Sequence, residues 1–244
     1  MLALLLAAIA PVPAASAPPR TLIYAYAYQR SQTDSAEHAY GVDKMDPGGG
    51  GTFYFHNVNQ HFIAPGAEGA ENASGRIAVV IERQESDGGL VVGVRDSSLG
   101  GDAAAPATCV AFADTTVVCD PNRPVSPAAK ALLGVLGRGF VDPSRIDAQG
   151  HWRIEPQGPA GTAADYRILH AANGVIQIRE DGVVTHAGSP WKTTIDATID
   201  YDMARALPTS LVQSTVEESR RGAVDETIST QTSLRLVSDS AVTH

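Results

Sequence analysis

Three long alternating segments close the chain, and they commit it to an antiparallel sheet. In Thr194–Met203, Ile195, Ala197, Ile199, Tyr201 and Met203 alternate with Asp196, Thr198, Asp200 and Asp202. Thr209–Arg220 and Val224–Val237 follow, turning around Arg221-Gly222. In the last segment Ile228, Thr230, Thr232, Leu234 and Leu236 share a face. Strict alternation is the signature of a strand with one face on a core and one in water. Strands of ~11 residues are about twice the usual length and span roughly 35 Å. Such strands suit a long-stranded antiparallel meander, built as a half-barrel or a sandwich. The expected fold class is therefore mainly β, with one short helix near residues 127–137.

Local turn chemistry adds detail upstream. Asn173-Gly174 is a strong two-residue hairpin signal. Its register sets Ala172 opposite Val175, Ala171 opposite Ile176, His170 opposite Gln177 and Leu169 opposite Ile178, with Arg167 facing Glu180. A second turn at Asp181-Gly182 is expected to add Val183–Ala187 as a third strand. Thr21–Gln29 alternates with apolar residues on both faces, Leu22, Tyr24, Tyr26 and Tyr28 on one of them. Thr33–Gly51 is polar, ends in glycines and reads as a loop. Thr52–Ile63 is strand-like, and Arg76–Glu82 and Leu90–Arg95 flank the turn residues Ser86-Asp87-Gly88-Gly89. The helix has Ser126 as its cap, Pro127 in the first turn, and Ala131, Leu132, Val135 and Leu136 at helical spacing; Gly137 and Gly139 end it. It is expected to plug one sheet, with a division of the chain near 121–150 as the alternative.

The two cysteines, Cys109 and Cys119, flank Ala113-Asp114-Thr115. A hairpin with that three-residue turn places them directly opposite each other, and facing Cβ atoms are roughly 4.5–5.5 Å apart, within reach of a disulfide. Closing so short a loop stabilises by roughly 2–3 kcal/mol in the chain-entropy description.

A disulfide needs an oxidising compartment. The first residues agree: Leu2–Ile9 is an unbroken run of Leu, Ala and Ile, followed by Pro11, Pro13 and small residues to Ala17. Eight apolar residues are too few to span a bilayer, which takes roughly 20. They fit the apolar stretch of a secretory signal over residues 1–17, leaving 18–244 as a single β-rich domain. The expected location is extracytoplasmic, periplasmic or secreted, and the Ala-, Arg- and Gly-rich composition is bacterial in character. No transmembrane segment is expected in the mature chain. The net charge of −9 argues against nucleic acid and against a polybasic membrane contact.

Chemical signatures are few. No G-x-S-x-G, G-x-G-x-x-G or Walker-type loop occurs. His56 and His61 have opposite strand parity. His170 and His186 stand two strands apart in the expected meander, too far to share a zinc. Asp196, Asp200 and Asp202 share a face but lack the loop spacing of a calcium site, so a solvated outer face is the expectation. Asn72-Ala73-Ser74 matches the glycosylation pattern. No metal, cofactor or catalytic residue is assigned. Tyr24, Tyr26 and Tyr28, with Phe53 and Phe55, are the candidate lining of an apolar cavity, because a large antiparallel sheet with a helix on it is where ligand cavities form. At the level of architecture alone, the pattern resembles extracytoplasmic half-barrel carriers of lipids or lipoproteins. The expected function is an exported, non-catalytic protein that binds an apolar small molecule or an envelope protein. A secreted hydrolase assembled only in three dimensions and a structural or adhesion module are the alternatives.

Overall fold

The computed structural model of the chain describes residues 19–44, 52–63, 69–85, 89–97, 106–137, 140–155, 163–185, 192–221 and 224–241. The expected signal segment, residues 1–17, lies outside them. The elements are β1 (Arg20–Lys44), β2 (Thr52–Ile63), β3 (Gly69–Gln84), β4 (Leu90–Asp96), β5 (Ala107–Ala111), β6 (Val117–Cys119), α1 (Pro127–Gly134), β7 (His151–Ile154), β8 (Ala164–Ala172), β9 (Val175–Thr185), β10 (Lys192–Asp202), β11 (Leu207–Arg221) and β12 (Val224–Asp239).

The strands form one open antiparallel sheet in the order β6-β5-β4-β3-β1-β12-β11-β10-β9-β8-β7, with β2 paired to β1 off this row. Two meanders, β3–β6 and β7–β12, are joined through β1. One edge of β1 pairs with β12 over Leu22–Ala36; the other pairs with β3 over Arg20–Gln32 and then with β2 over Ser35–Lys44. A half-buried ion pair pins this seam: the Arg20 guanidinium bonds both oxygens of Asp239 at 2.9 and 2.6 Å. The edges β6 and β7 are only 3 and 4 residues long, which limits edge-to-edge pairing.

These two edges are consecutive in the chain but lie at opposite sides of the sheet. The β5–β6 hairpin nevertheless stands over the other end of the sheet, since Thr115 and Val117 share a cavity wall with Tyr166 and Glu180. The connection from β6 to β7 carries α1 on that same face. The Ser126 hydroxyl accepts from the Ala129 N–H, and Pro127 opens the first turn. Ala128, Ala129, Leu132 and Leu133 of α1 are buried in one core cluster with Leu22, Tyr24, Ile77, Val79, Ile178 and Ile199 of the sheet. Phe140, further along the crossing, packs against Tyr166 at 5.2 Å and Tyr201 at 5.6 Å between ring centroids. The Tyr201 hydroxyl donates to the Gly137 carbonyl. Gly137 itself has φ +96°, a backbone conformation that side-chain-bearing residues rarely adopt, and a Cβ there would meet Leu90 Cδ1 at 2.5 Å and force that side chain to shift.

The disulfide hairpin has the expected register: Ala111 opposite Val117, Val110 opposite Val118 and Cys109 opposite Cys119, with the disulfide formed and Cα atoms 4.0 Å apart. Asn173 (φ 53°) and Gly174 (φ 77°) make the expected turn with both central residues left-handed.

Three expectations are corrected. Thr33–Gly51 is not all loop, because β1 runs on to Lys44; β2 supplies the ladder that a polar sequence alone does not advertise. The β8–β9 register shifts at a bulge between Ile168 and His170. Leu169 is the extra residue, 46% exposed, so Arg167 faces Arg179 and Tyr166 faces Glu180. Finally, Asp181-Gly182 is not a turn: β9 continues to Thr185, with Gly182 paired between Ala164 and Ile195. Ladder bonds on both sides outweigh local turn preference there.

Candidate functional site

Register divides the helix-bearing face into rows running across the strands. The first row reads Ile178, Ile199, Leu211, Leu234 and Tyr26, each opposite the next on β9, β10, β11, β12 and β1. All five are buried. The second row, two residues along every strand, reads Glu180, Ala197, Gln213, Thr232 and Tyr28. The third reads Gly182, Ile195, Thr215, Thr230 and Arg30. Within one step the same face changes from aliphatic to polar on β9, β11 and β12 together.

The polar rows wall a cavity of about 390 Å³ between the sheet and α1. Its floor is Glu180, Ile195, Gln213, Thr215, Thr230 and Thr232, with Tyr166 beside them. Its roof is the stripe Pro127, Lys130, Ala131 and Gly134 of α1, spaced three and four residues apart, with Val135 just past the helix end. Thr115 and Val117, from the disulfide hairpin, close one side. α1 therefore has two faces: Ala128, Ala129, Leu132 and Leu133 enter the core, while small Ala131 and Gly134 leave space.

Glu180 is 6% exposed, and the Tyr166 hydroxyl donates to its Oε1 at 3.2 Å. Burial raises the Glu180 carboxyl to about 7, and the charges of Asp181 and Asp196 add to the rise, against the Tyr166 hydrogen bond. The Tyr166 phenol is itself pushed up by burial and by Glu180, so it remains a donor. A buried carboxylate in a mixed-polarity cavity can accept a donor from a bound molecule, and the threonine hydroxyls and the Gln213 amide can satisfy further polar atoms.

The other sequence candidates lie elsewhere. Tyr24, Tyr26 and Tyr28 are buried in the core cluster, the first two donating to the Pro208 carbonyl and to Asp96 at 2.8 and 3.1 Å. Phe53 and Phe55 lie on β2 opposite Asp43 and Gly41, and their side chains are outside the described residues. Cys109 and Cys119 form the disulfide beside Val117. The acidic row is on the outer face with local partners: Asp196 with Arg179, Asp200 with Gln177 and Ser210, Asp202 with Arg205. Among the described residues no three His, Cys, Asp or Glu side chains cluster for a metal. Nor is any helix among them long and apolar enough to cross a membrane.

No protein-family model and no curated protein sequence matches the chain. One solved structure, described as lipid–protein interactions in lipovitellin, is similar with a TM-score of 0.46 and 8% sequence identity. The match covers 91% of this chain and 26% of that one, and the lipid interactions named are those of that protein.

Glu180 escaped sequence reasoning because, without the bulge, the register set it opposite Arg167 as a pair of opposite charges, whereas Tyr166 faces it. The signal was present: on β9 it shares parity with Ile176 and Ile178, so it falls on the apolar face. The roof stripe was masked by the stronger Leu132–Leu136 periodicity.

Proposed function

We propose that the chain is a non-catalytic binding protein whose ligand is a small amphipathic molecule held between α1 and the sheet. The observation that carries this reading is the α1 cavity: its ~390 Å³ lies in the ~300–1,000 Å³ range of small-molecule sites, and its lining mixes aliphatic with polar groups. An apolar body meets Val117, Ala131, Val135 and Ile195; a polar end meets Glu180, Gln213 and the threonines. This narrows the apolar ligand expected from the strand pattern to one with a polar group. The disulfide agrees with an exported protein working in an oxidising compartment.

The test is native mass spectrometry of the protein purified under mild conditions from its native compartment, beside the variant Ala131→Trp, which fills the roof. A bound mass lost on denaturation and absent from Ala131→Trp supports the reading. A bare wild-type protein that also takes up no added single-chain amphiphile overturns it and leaves a structural role.

A further inference from the structure

We propose that the ligand of the α1 cavity presents a protonated amine to Glu180, so that the site selects cationic amphiphiles over neutral or anionic ones of the same chain length. This rests on the cavity reading above and adds the chemistry of the polar end.

The argument is one of charge. Glu180 is on the floor of the cavity, 6% exposed, and among the described residues the hydrogen bond to its carboxyl comes from a neutral phenol, Tyr166. A buried carboxylate is costly unless a cation or several donors compensate it. The neighbouring charges that bear on it, Asp181 on its own strand and Asp196 on β10, are both negative. From β8 it receives the Tyr166 hydroxyl. The basic residue of the lining, Lys130, stands on the exposed side of α1 and is not among the charges that shift Glu180. The rest of the floor, Gln213, Thr215, Thr230 and Thr232, is uncharged. An entering ammonium group supplies the missing positive charge and up to three donors, shared between Glu180 and the threonine oxygens. An anionic head would meet Glu180 as a like charge; an alcohol offers a single donor and no charge.

The fall in the Glu180 proton affinity expected on amine binding gives a second readout. Unliganded, the carboxyl titrates near 7, held up first by burial and then by Asp181 and Asp196, with Tyr166 opposing. An amine that needs the ionised form binds more weakly as the pH drops from about 8 to about 5.

The experiment is calorimetric titration of decylamine, decanol and decanoate into the wild-type protein, Glu180→Gln and Ala131→Trp at pH 8. Glutamine keeps the shape of the side chain, and circular dichroism and the melting temperature report that the variant is folded. The expected result is decylamine tighter than decanol by about tenfold or more in the wild type, with decanoate weakest. In Glu180→Gln the ratio of decylamine to decanol affinity falls to within about twofold, and Ala131→Trp loses all three. Equal affinities in the wild type, or an amine preference that survives Glu180→Gln, overturn the assignment and leave the cavity reading standing; the second outcome traces the preference to the acidic surface. Failure of all three probes to bind the wild type overturns the cavity reading and this inference together.

Discussion

Two neighbouring parts of one sheet face behave as different materials. On the row of Ile178, Ile199, Leu211 and Leu234, every side chain is at most 3% exposed, beneath the segment that crosses from β6 to β7. On the next two rows the same strands carry Glu180, Gln213, Thr215, Thr230 and Thr232 and border a cavity. Strand parity is identical in both places; what differs is the cover. Alternation fixes which face a residue takes, while the path of α1 and Phe140 fixes whether that face is filled. The packed end supplies stability, and the cavity end keeps polar groups that a well-filled core would exclude.

The largest expected effect is at the packed end. Ile199 is 0% exposed, between Ile178 and Leu211 in the first row. Ile199→Ala removes buried methylenes and leaves a void, a loss of ~2–5 kcal/mol in urea denaturation. A loss below about 1 kcal/mol would mean that the crossing segment does not press on this row, and the contrast between the two ends would collapse.

Glu180→Gln reads the other end, with opposite sign. The folded carboxyl titrates at about 7 against an ordinary 4.5. Between those values the folded protein keeps a proton that the unfolded chain has released, so stability falls as the pH rises through that window. The shift corresponds to at most ~3 kcal/mol. Glu180→Gln is therefore expected to gain up to that amount over the wild type at pH 8 and to match it near pH 4. A wild-type stability that stays flat from pH 4.5 to 8 would show that Glu180 is reached by water.

At the seam of β1 and β12 the sign reverses again. Hydrogen bonding from Arg20 holds Asp239 below its ordinary value, against a smaller upward push from burial. This contribution is present above the ordinary carboxylate range and is lost as the pH falls below it. Asp239→Asn is expected to cost ~2 kcal/mol at pH 7, less than a fully buried pair, because Arg20 and Arg205 keep side-chain exposures of 25% and 33%. At pH 2 the wild type and the variant should unfold at the same urea concentration.

How much of this was legible follows the range of the interactions involved. The Cys109–Cys119 hairpin and the Asn173-Gly174 turn are set by residues a few positions apart, and their registers could be read from the sequence. So could the outer face of β10, where Asp196, Asp200 and Asp202 alternate with the buried set. The bulge at Leu169 could not: Ile168 and Leu169 are both aliphatic, so either register puts a suitable side chain inward. The cavity was hidden for a different reason. Whether Ile195 or Ile199 is covered depends on where the connection from β6 to β7, two strands at opposite ends of the order, sets down its helix, and no local pattern encodes that.

Ile195 and Ile199 therefore make the sharpest comparison, with the smallest expected effect. They are the same residue on one strand and one face, four positions apart. Ile199 is enclosed; Ile195 is half-buried against the cavity, opposite Gly182 on one side and Thr215 on the other. Ile195→Ala enlarges a space that already exists and creates no new void, so only the transfer part of the usual cost remains, about 1 kcal/mol or less. The same change should weaken decanol binding, because the lost methylenes belong to the wall that meets the ligand's apolar body. Equal destabilisation by Ile195→Ala and Ile199→Ala would mean that the cavity is packed shut in solution. A small cost together with weakened binding would place the ligand's apolar body against this row.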